Sequence, residues 1–325
     1  MKQIPGIMLA LLLAVPAWLL GQAVPLVGGP VFAILLGILL AGWKRPERVE
    51  AGLRFTGKKV LQLSIVLLGF EMNLHYVLQV GGQSLVIIVA TLSAAFLTAW
   101  LVGRWLRLPG NTTVLIGVGT AICGGSAIAA TAPVIGAKTQ DVTYSISTIF
   151  LFNIVAVFLF PFLGHLLGLG DAGFGMWAGT AINDTSSVVA AGYSYSDAAG
   201  SYATIVKLTR TLMIIPITLA LGLYQAKKSR QAGEGFSLGR IFPLFVLGFL
   251  AASIVSTSGV LGETAAHFLG QAGKFCIAVA MAAIGLNTRL GELVKNGLAP
   301  ILLGLACWAA VAVVSLLCQH MIGLW

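Results

Sequence analysis

Charge is what this chain has least of. Only 9% of its 325 residues are Asp, Glu, Lys or Arg and 58% are hydrophobic, with a mean hydropathy of +0.98, whereas a soluble domain is about 25% charged. That excludes a soluble fold. Acidic residues are scarcest, ten against nineteen Lys and Arg. The basic excess of +9 sits in short loops between apolar segments, where orientation in a bilayer accounts for it, so nucleic acid is not expected as a partner. The four cysteines (Cys123, Cys276, Cys307, Cys318) lie in apolar stretches without CxxC spacing, which excludes a disulfide frame and a thiolate metal site. His75, His165, His267 and His320 fall near segment ends. HExxH, GxSxG and GxxxxGK[ST] are all missing, so no enzyme, direct ATP use or cofactor is expected.

What is abundant is apolar segments and glycine. The segments run 5–20, 30–43, 59–74, 84–102, 112–136, 143–167, 174–191, 202–224, 241–256, 273–286 and 298–321. At roughly 20 residues per membrane-spanning helix, about nine to eleven membrane segments fill the chain, and 1–325 reads as a single transmembrane domain. The first segment, Lys2 followed by Ile4 to Leu20 and Gly21-Gln22-Ala23, mimics a cleavable signal peptide. In so hydrophobic a chain an uncleaved span is expected. The 40 glycines favour close helix packing and breaks within the membrane.

Two internal echoes order these segments. At an offset of 216, Gly57, Lys58, Gly69, Leu74 and Gly81 fall on Gly273, Lys274, Gly285, Leu290 and Gly297. At an offset of 60, Gly119-Thr120-Ala121-Ile122-Cys123-Gly124-Gly125-Ser126 falls on Gly179-Thr180-Ala181-Ile182-Asn183-Asp184-Thr185-Ser186, and six of the twelve positions through Ala130 and Ala190 are identical. Inverted repeats require an odd number of crossings between equivalent elements. If every segment crosses, the two echoes disagree in parity. If 112–136 and 174–191 are instead re-entrant hairpins, broken near Gly124-Gly125 and Asp184-Thr185, both counts become odd. The alternative is a pair of broken helices that do cross. With the N-terminus inside, the hairpins also place Lys2, Lys44, Arg45, Arg48, Arg54, Lys58, Lys59, Arg104, Arg107, Lys138, Lys227, Lys228, Arg230, Arg240, Arg289 and Lys295 on the cytoplasmic side, leaving only Lys274 outside.

The chemistry concentrates at the two breaks and in the following span. Asp184 is a carboxylate deep in an apolar segment, which is a functional-site hypothesis by default, although Asp is also a good helix cap. Lys207 and Arg210, three residues apart on one helix face, need an anionic partner, which Asp184 or a bound substrate could be. A helix starting after Gly125 presents free N–H groups and the positive end of its dipole to an anion. Gly124 and Gly125 allow close approach, and Ser126, Asn183, Thr185 and Ser186 add polar groups, or serve as caps. Asn153, Asn73 and Asn287 read as interhelical hydrogen-bond groups or caps. Gly168-Leu169-Gly170-Asp171 matches the GxGD pattern of intramembrane aspartyl proteases, but a partner aspartate is missing and a Gly/Asp turn is the better reading.

Three runs carry a resemblance: 119–128 (GTAICGGSAI), 181–188 (AINDTSSV) and 207–211 (KLTRT). Over nearly the whole chain it resembles the YeiH-type family of bacterial membrane proteins, usually labelled sulfate exporters, which looks related to the cation:proton antiporter and anion transporter superfamily. The resemblance implies a multi-pass protein of the bacterial inner membrane, with substrate held where two discontinuous elements of inverted repeats meet. The combined expectation is an all-α polytopic membrane protein of inverted repeats with two re-entrant or discontinuous elements. It would move a small anion (sulfate, sulfite or a sulfonate) by alternating access, coupled to H+ or Na+ through Asp184. Gly124, Gly125, Ser126, Asn183, Thr185, Ser186, Lys207 and Arg210 would bind the anion. The reading leaves room for a homo-oligomer. The alternatives are an anion channel and, far behind, an intramembrane aspartyl hydrolase.

Overall fold

The structure, a computed structural model, describes residues 3–23, 29–214, 216–218, 220–221, 244–288 and 297–325. Every regular element among them is helical. In chain order these are α1 (Ile4–Ala23), α2 (Gly29–Leu39), α3 (Glu47–Phe55), α4 (Leu61–Gly69), α5 (Leu74–Trp105), α6 (Gly110–Ala121), α7 (Gly125–Val134), α8 (Thr139–Leu166), α9 (Asp171–Ala181), α10 (Thr185–Tyr195), α11 (Asp197–Leu212), α12 (Leu244–Thr257), α13 (Glu263–Asn287) and α14 (Leu298–Met321). A wide π-type turn, Thr56–Val60, joins α3 to α4 into one rod. Among the described residues five helices are long and apolar enough to cross a membrane, and Leu12, Val86, Trp105 and Phe162 are among the large apolar side chains on their outer surfaces. The protein is an all-α polytopic membrane protein. Arg289, Leu290 and Lys295, and Lys227, Lys228, Arg230 and Arg240 with the end of the segment expected to reach Tyr224, lie outside the described residues.

Polar ties fix which element ends lie together. The Thr112 hydroxyl near the start of α6 donates to Asp141 Oδ1 at the start of α8 (2.6 Å), and only four residues separate α7 from α8. The segment α6–α7 therefore leaves on the face where it enters. Likewise the Ser196 hydroxyl just beyond α10 donates to Asp171 Oδ1 at the start of α9 (2.6 Å), and Tyr195 Oη donates to Leu169 O (2.5 Å). The segment α9–α10 is a second hairpin, and the 28-residue α8 separates the two entrances. The hairpins thus come in from opposite ends, the Lys138 end and the Asp171 end. Of the two arrangements the sequence left open, these ties accord with re-entrant hairpins.

The 216-residue echo appears as reciprocal packing. A side chain at Gly57 would meet Ile284, which aligns with Leu68, while one at Gly273, the counterpart of Gly57, would meet Leu67 and Leu68. The same exchange links Gly285 to Ile34 and Gly37, and Gly69 to Phe249 and Ala252. Rod α3–α4 and helix α13 run antiparallel, so the two halves are related by a pseudo-twofold axis lying across the helices. Glycine at these four points lets backbones approach where dispersion is the main attraction available in lipid. Helices α1–α4, α12 and α13 form one layer; α5–α11 and α14 form the other, around Phe160, Trp177 and Trp308. The four cysteines are free and serve as packing residues.

Candidate functional site

The tips of the two hairpins touch near the middle of the second layer. A Cβ on Gly124 would lie 3.2 Å from Asp184 Cβ, 3.3 Å from Ile149 and 3.7 Å from Asn153 Nδ2. Gly124 has φ +70° and ψ −130°, a conformation close to glycine-only space. At each tip a half-helix ends and another begins, leaving carbonyls and N–H groups without intrahelical partners. Such groups are tolerated at that depth only when protein or water satisfies them.

The carbonyl ends are held by α11. Lys207 and Arg210 are both fully buried. Lys207 Nζ donates to Ile122 O (2.8 Å), Ile182 O (3.0 Å) and Asn183 O. Arg210 donates through Nε to Ala121 O (2.6 Å), through Nη1 to Ile182 O (3.1 Å) and through Nη2 to Thr120 O. Both cations therefore sit at the negative C-terminal ends of α6 and α9, a favourable place for positive charge. The Asp184 carboxylate, one of the two partners expected from sequence, takes none of these N–H groups. Lys207 has three N–H groups and three carbonyl partners, while Arg210 uses three of its five. The physical reason is local: the orphan carbonyls of two broken helices supply the negative potential without any acidic side chain.

The N–H ends differ between hairpins. Asp184 caps α10, accepting at Oδ1 from Ser186 N (2.5 Å), Ser187 N (3.4 Å) and Ser186 Oγ (2.5 Å), and at Oδ2 from Ser187 Oγ (2.9 Å). No side chain caps α7. Ile128 N bonds Gly124 O as Val188 N bonds Asp184 O, and the Ala127 amide faces Cys123 Sγ, but among the described residues the amides of Gly125 and Ser126 meet no acceptor. Ser126 is exposed, and Gly125, Asp184 and Thr185 are half-buried. Of the nine expected site residues, all lie at or beside the two breaks, with Thr185 and Asn183 on the α9–α10 side.

One residue read from sequence only as an interhelical hydrogen-bond group or cap stands at this site. Asn153 stands midway along α8, 2% exposed, with no partner for either side-chain atom among the described residues. It was expected to make an interhelical hydrogen bond. Instead its amide points at the Gly124 turn, and nothing in the sequence distinguishes such an asparagine from a bonded one. Asn183 is likewise buried with both side-chain atoms unpartnered. Asn73 does cap α5, accepting from His75 N (2.8 Å).

Comparison with known proteins identifies the lineage. The family described as conserved hypothetical protein 698 matches residues 5–304. The chain belongs to this YeiH-type family. A UPF0324 membrane protein of Streptococcus pyogenes serotype M6 is 52% identical over 100% of this chain and 99% of the relative. A UPF0324 membrane protein of Streptococcus mutans is 51% identical over 100% and 98%, and one of Fusobacterium nucleatum is 45% identical over 98% of each. No solved structure matches the chain. This member of the YeiH-type family is thus a membrane protein whose motif residues converge on one buried junction.

Proposed function

We propose that the protein is a secondary active transporter of a small anion, working by alternating access around the hairpin tips. The supporting observation is the charge balance at the junction. Each helix end carries roughly half an elementary charge, so the two C-terminal ends and the two N-terminal ends cancel. With Lys207 and Arg210 both protonated and Asp184 ionised, two positive charges face one negative, which leaves about one positive charge unbalanced in a largely buried site. An anion restores neutrality. A monoanion does so with Asp184 ionised, whereas a dianion such as sulfate does so when Asp184 also takes up a proton or holds Na+. That is a physical route from anion binding to ion coupling. The setting is the bacterial inner membrane with the N-terminus cytoplasmic, and no cofactor is involved.

An intramembrane aspartyl hydrolase has less support. Asp171 opens α9 and Asp184 lies beyond its end, on the order of 15 Å along the helix at 1.5 Å per residue, too far for the two to share a proton. The test is uptake of radiolabelled sulfate and sulfite into proteoliposomes with imposed pH or Na+ gradients, comparing wild type with Asp184→Asn. Gradient-driven flux that disappears in the variant supports a coupled carrier. Flux far above carrier turnover and indifferent to gradients would establish a channel instead, and no flux of any anion by folded protein would end the transporter reading.

A further inference from the structure

The two hairpins are copies of one another, yet only one of their helix N-termini is occupied by the protein itself. In α9–α10 the Asp184 carboxylate takes the Ser186 and Ser187 amides and both hydroxyls. At the equivalent position of α6–α7 the chain has Gly124, which carries no side chain, and while the Ala127 amide faces Cys123 Sγ, the amides of Gly125 and Ser126 have no acceptor among the described residues. Independently, Asn153 is 2% exposed with an unpartnered amide, and its Nδ2 is 3.7 Å from where a Gly124 Cβ would stand. A side chain at Gly125 would meet only the edge of Phe150, at 3.6 Å, and Ser126 is exposed. The place is therefore rich in donors, and its carboxylate neighbour Asp184 is already engaged by Ser186 and Ser187.

We propose that α7 holds an oxyanion group of the ligand as α10 holds the Asp184 carboxylate. The oxyanion accepts from the Gly125 and Ser126 amides and the Ser126 hydroxyl, and Asn153 Nδ2 is the fourth donor. The proposal rests on the anion-transport reading and sharpens it in two ways. It assigns the binding site to one hairpin rather than to both, and it makes Asn153 a ligand-binding residue. The ligand class is a small oxyanion, a sulfate, sulfite or sulfonate group or a carboxylate, because the protein's own carboxylate fits the equivalent position. A halide, having no divergent oxygen atoms, would use the donors poorly.

The experiment is equilibrium binding of radiolabelled sulfate and sulfite to the purified protein, with methanesulfonate, acetate and chloride as competitors, alongside gradient-driven flux in proteoliposomes. Two variants are compared with wild type. Asn153→Asp is nearly isosteric and places a negative charge against the site. Ser126→Asp puts a carboxylate in the first turn of α7, where it favours the helix, so the fold is retained while the site is filled from within. The expected result is at least a tenfold loss of oxyanion affinity in both, with Ser126→Asp unfolding no earlier than wild type, and displacement by methanesulfonate or acetate but not chloride. Wild-type affinity in either variant, with wild-type flux, would overturn this site and leave the transporter reading standing. Absence of binding and flux in wild type would overturn both.

Discussion

Replacing Lys207 by Met keeps the length of the side chain, removes its charge and tests whether α11 braces the tips. Three hydrogen bonds are lost, to Ile122 O (2.8 Å), Ile182 O (3.0 Å) and Asn183 O. Ile182 O keeps Arg210 Nη1 at 3.1 Å, so two buried carbonyls lose their side-chain donor. Hydrogen bonds to a charged group contribute about 1.5–3 kcal/mol each, and an orphaned buried acceptor costs about 1–3 kcal/mol. Relief of the desolvation cost of the lysine offsets part of this. The net loss is about 3–5 kcal/mol, comparable with breaking a buried ion pair from one side. Reversible unfolding in mixed micelles reads it directly, and Lys207→Gln should fall between wild type and Lys207→Met because one donor group survives. A Lys207→Met protein that unfolds like wild type but no longer binds anion would refute the brace and make Lys207 a ligand.

Asp184→Ala should cost about 1–2 kcal/mol by uncapping α10, whereas Asp184→Asn should keep the cap within a few tenths. Because both lack the charge, gradient-driven flux should fail in both, and flux retained in Asp184→Asn would show that the carboxylate only caps. Gly285→Leu would drive a side chain into Ile34 O and the Gly37 backbone, so it should reduce the yield of folded protein severely, as read by size exclusion in detergent; a normal elution profile would argue against that helix contact. In a background lacking Cys123, Cys276, Cys307 and Cys318, cysteines at Lys138 and Arg107 should label with a membrane-impermeant maleimide from one face and a cysteine at Asp171 from the other. Labelling of Lys138 and Arg107 from opposite faces would replace the first hairpin by a crossing element.

Each of the eleven apolar segments contains helix among the described residues, five of the helices long and apolar enough to cross a membrane, because lipid demands apolar surface wherever a helix faces it, but hydropathy misjudged their ends. The third segment was expected to begin at Lys59, while the rod begins at Glu47, since Glu47, Arg48, Glu50 and Arg54 line its end. The fifth helix starts at Leu74 rather than at Ser84, because Gly81, Gly82 and Gln83 interrupt the apolar run without interrupting the helix. The breaks themselves were legible, since Gly124-Gly125 and Asn183-Asp184 stand in echoed sequence and the parity of crossings constrains what they do. The partners of Lys207 and Arg210 were not. Backbone carbonyls have no residue type, so a cation that caps a half-helix reads in sequence like one awaiting a carboxylate.

The pseudo-twofold relation has a consequence for the resting state. Lys58 and Lys274 are equivalent by the 216-residue offset, yet their surroundings differ. The Lys274 side chain, 12% exposed, reaches Asp197 Oδ2 at 3.0 Å and Glu71 Oε2 at 3.7 Å, while Lys58 is exposed. In the alternating-access cycle proposed above, the two halves would exchange conformations across this axis and Lys58 would move into the setting now held by Lys274. There it meets no equivalent acids, because the counterpart of Asp197 is Ala137 by the 60-residue offset and that of Glu71 is Asn287 by the 216-residue one. One orientation is therefore latched by charge and its mirror state is not. With Asp197 71% exposed, solvent limits the latch to at most about 1 kcal/mol, a bias of roughly fivefold in population. The empty protein should idle with its Asp171 end shut, and high salt, by weakening the latch, should bring the two orientations closer to parity.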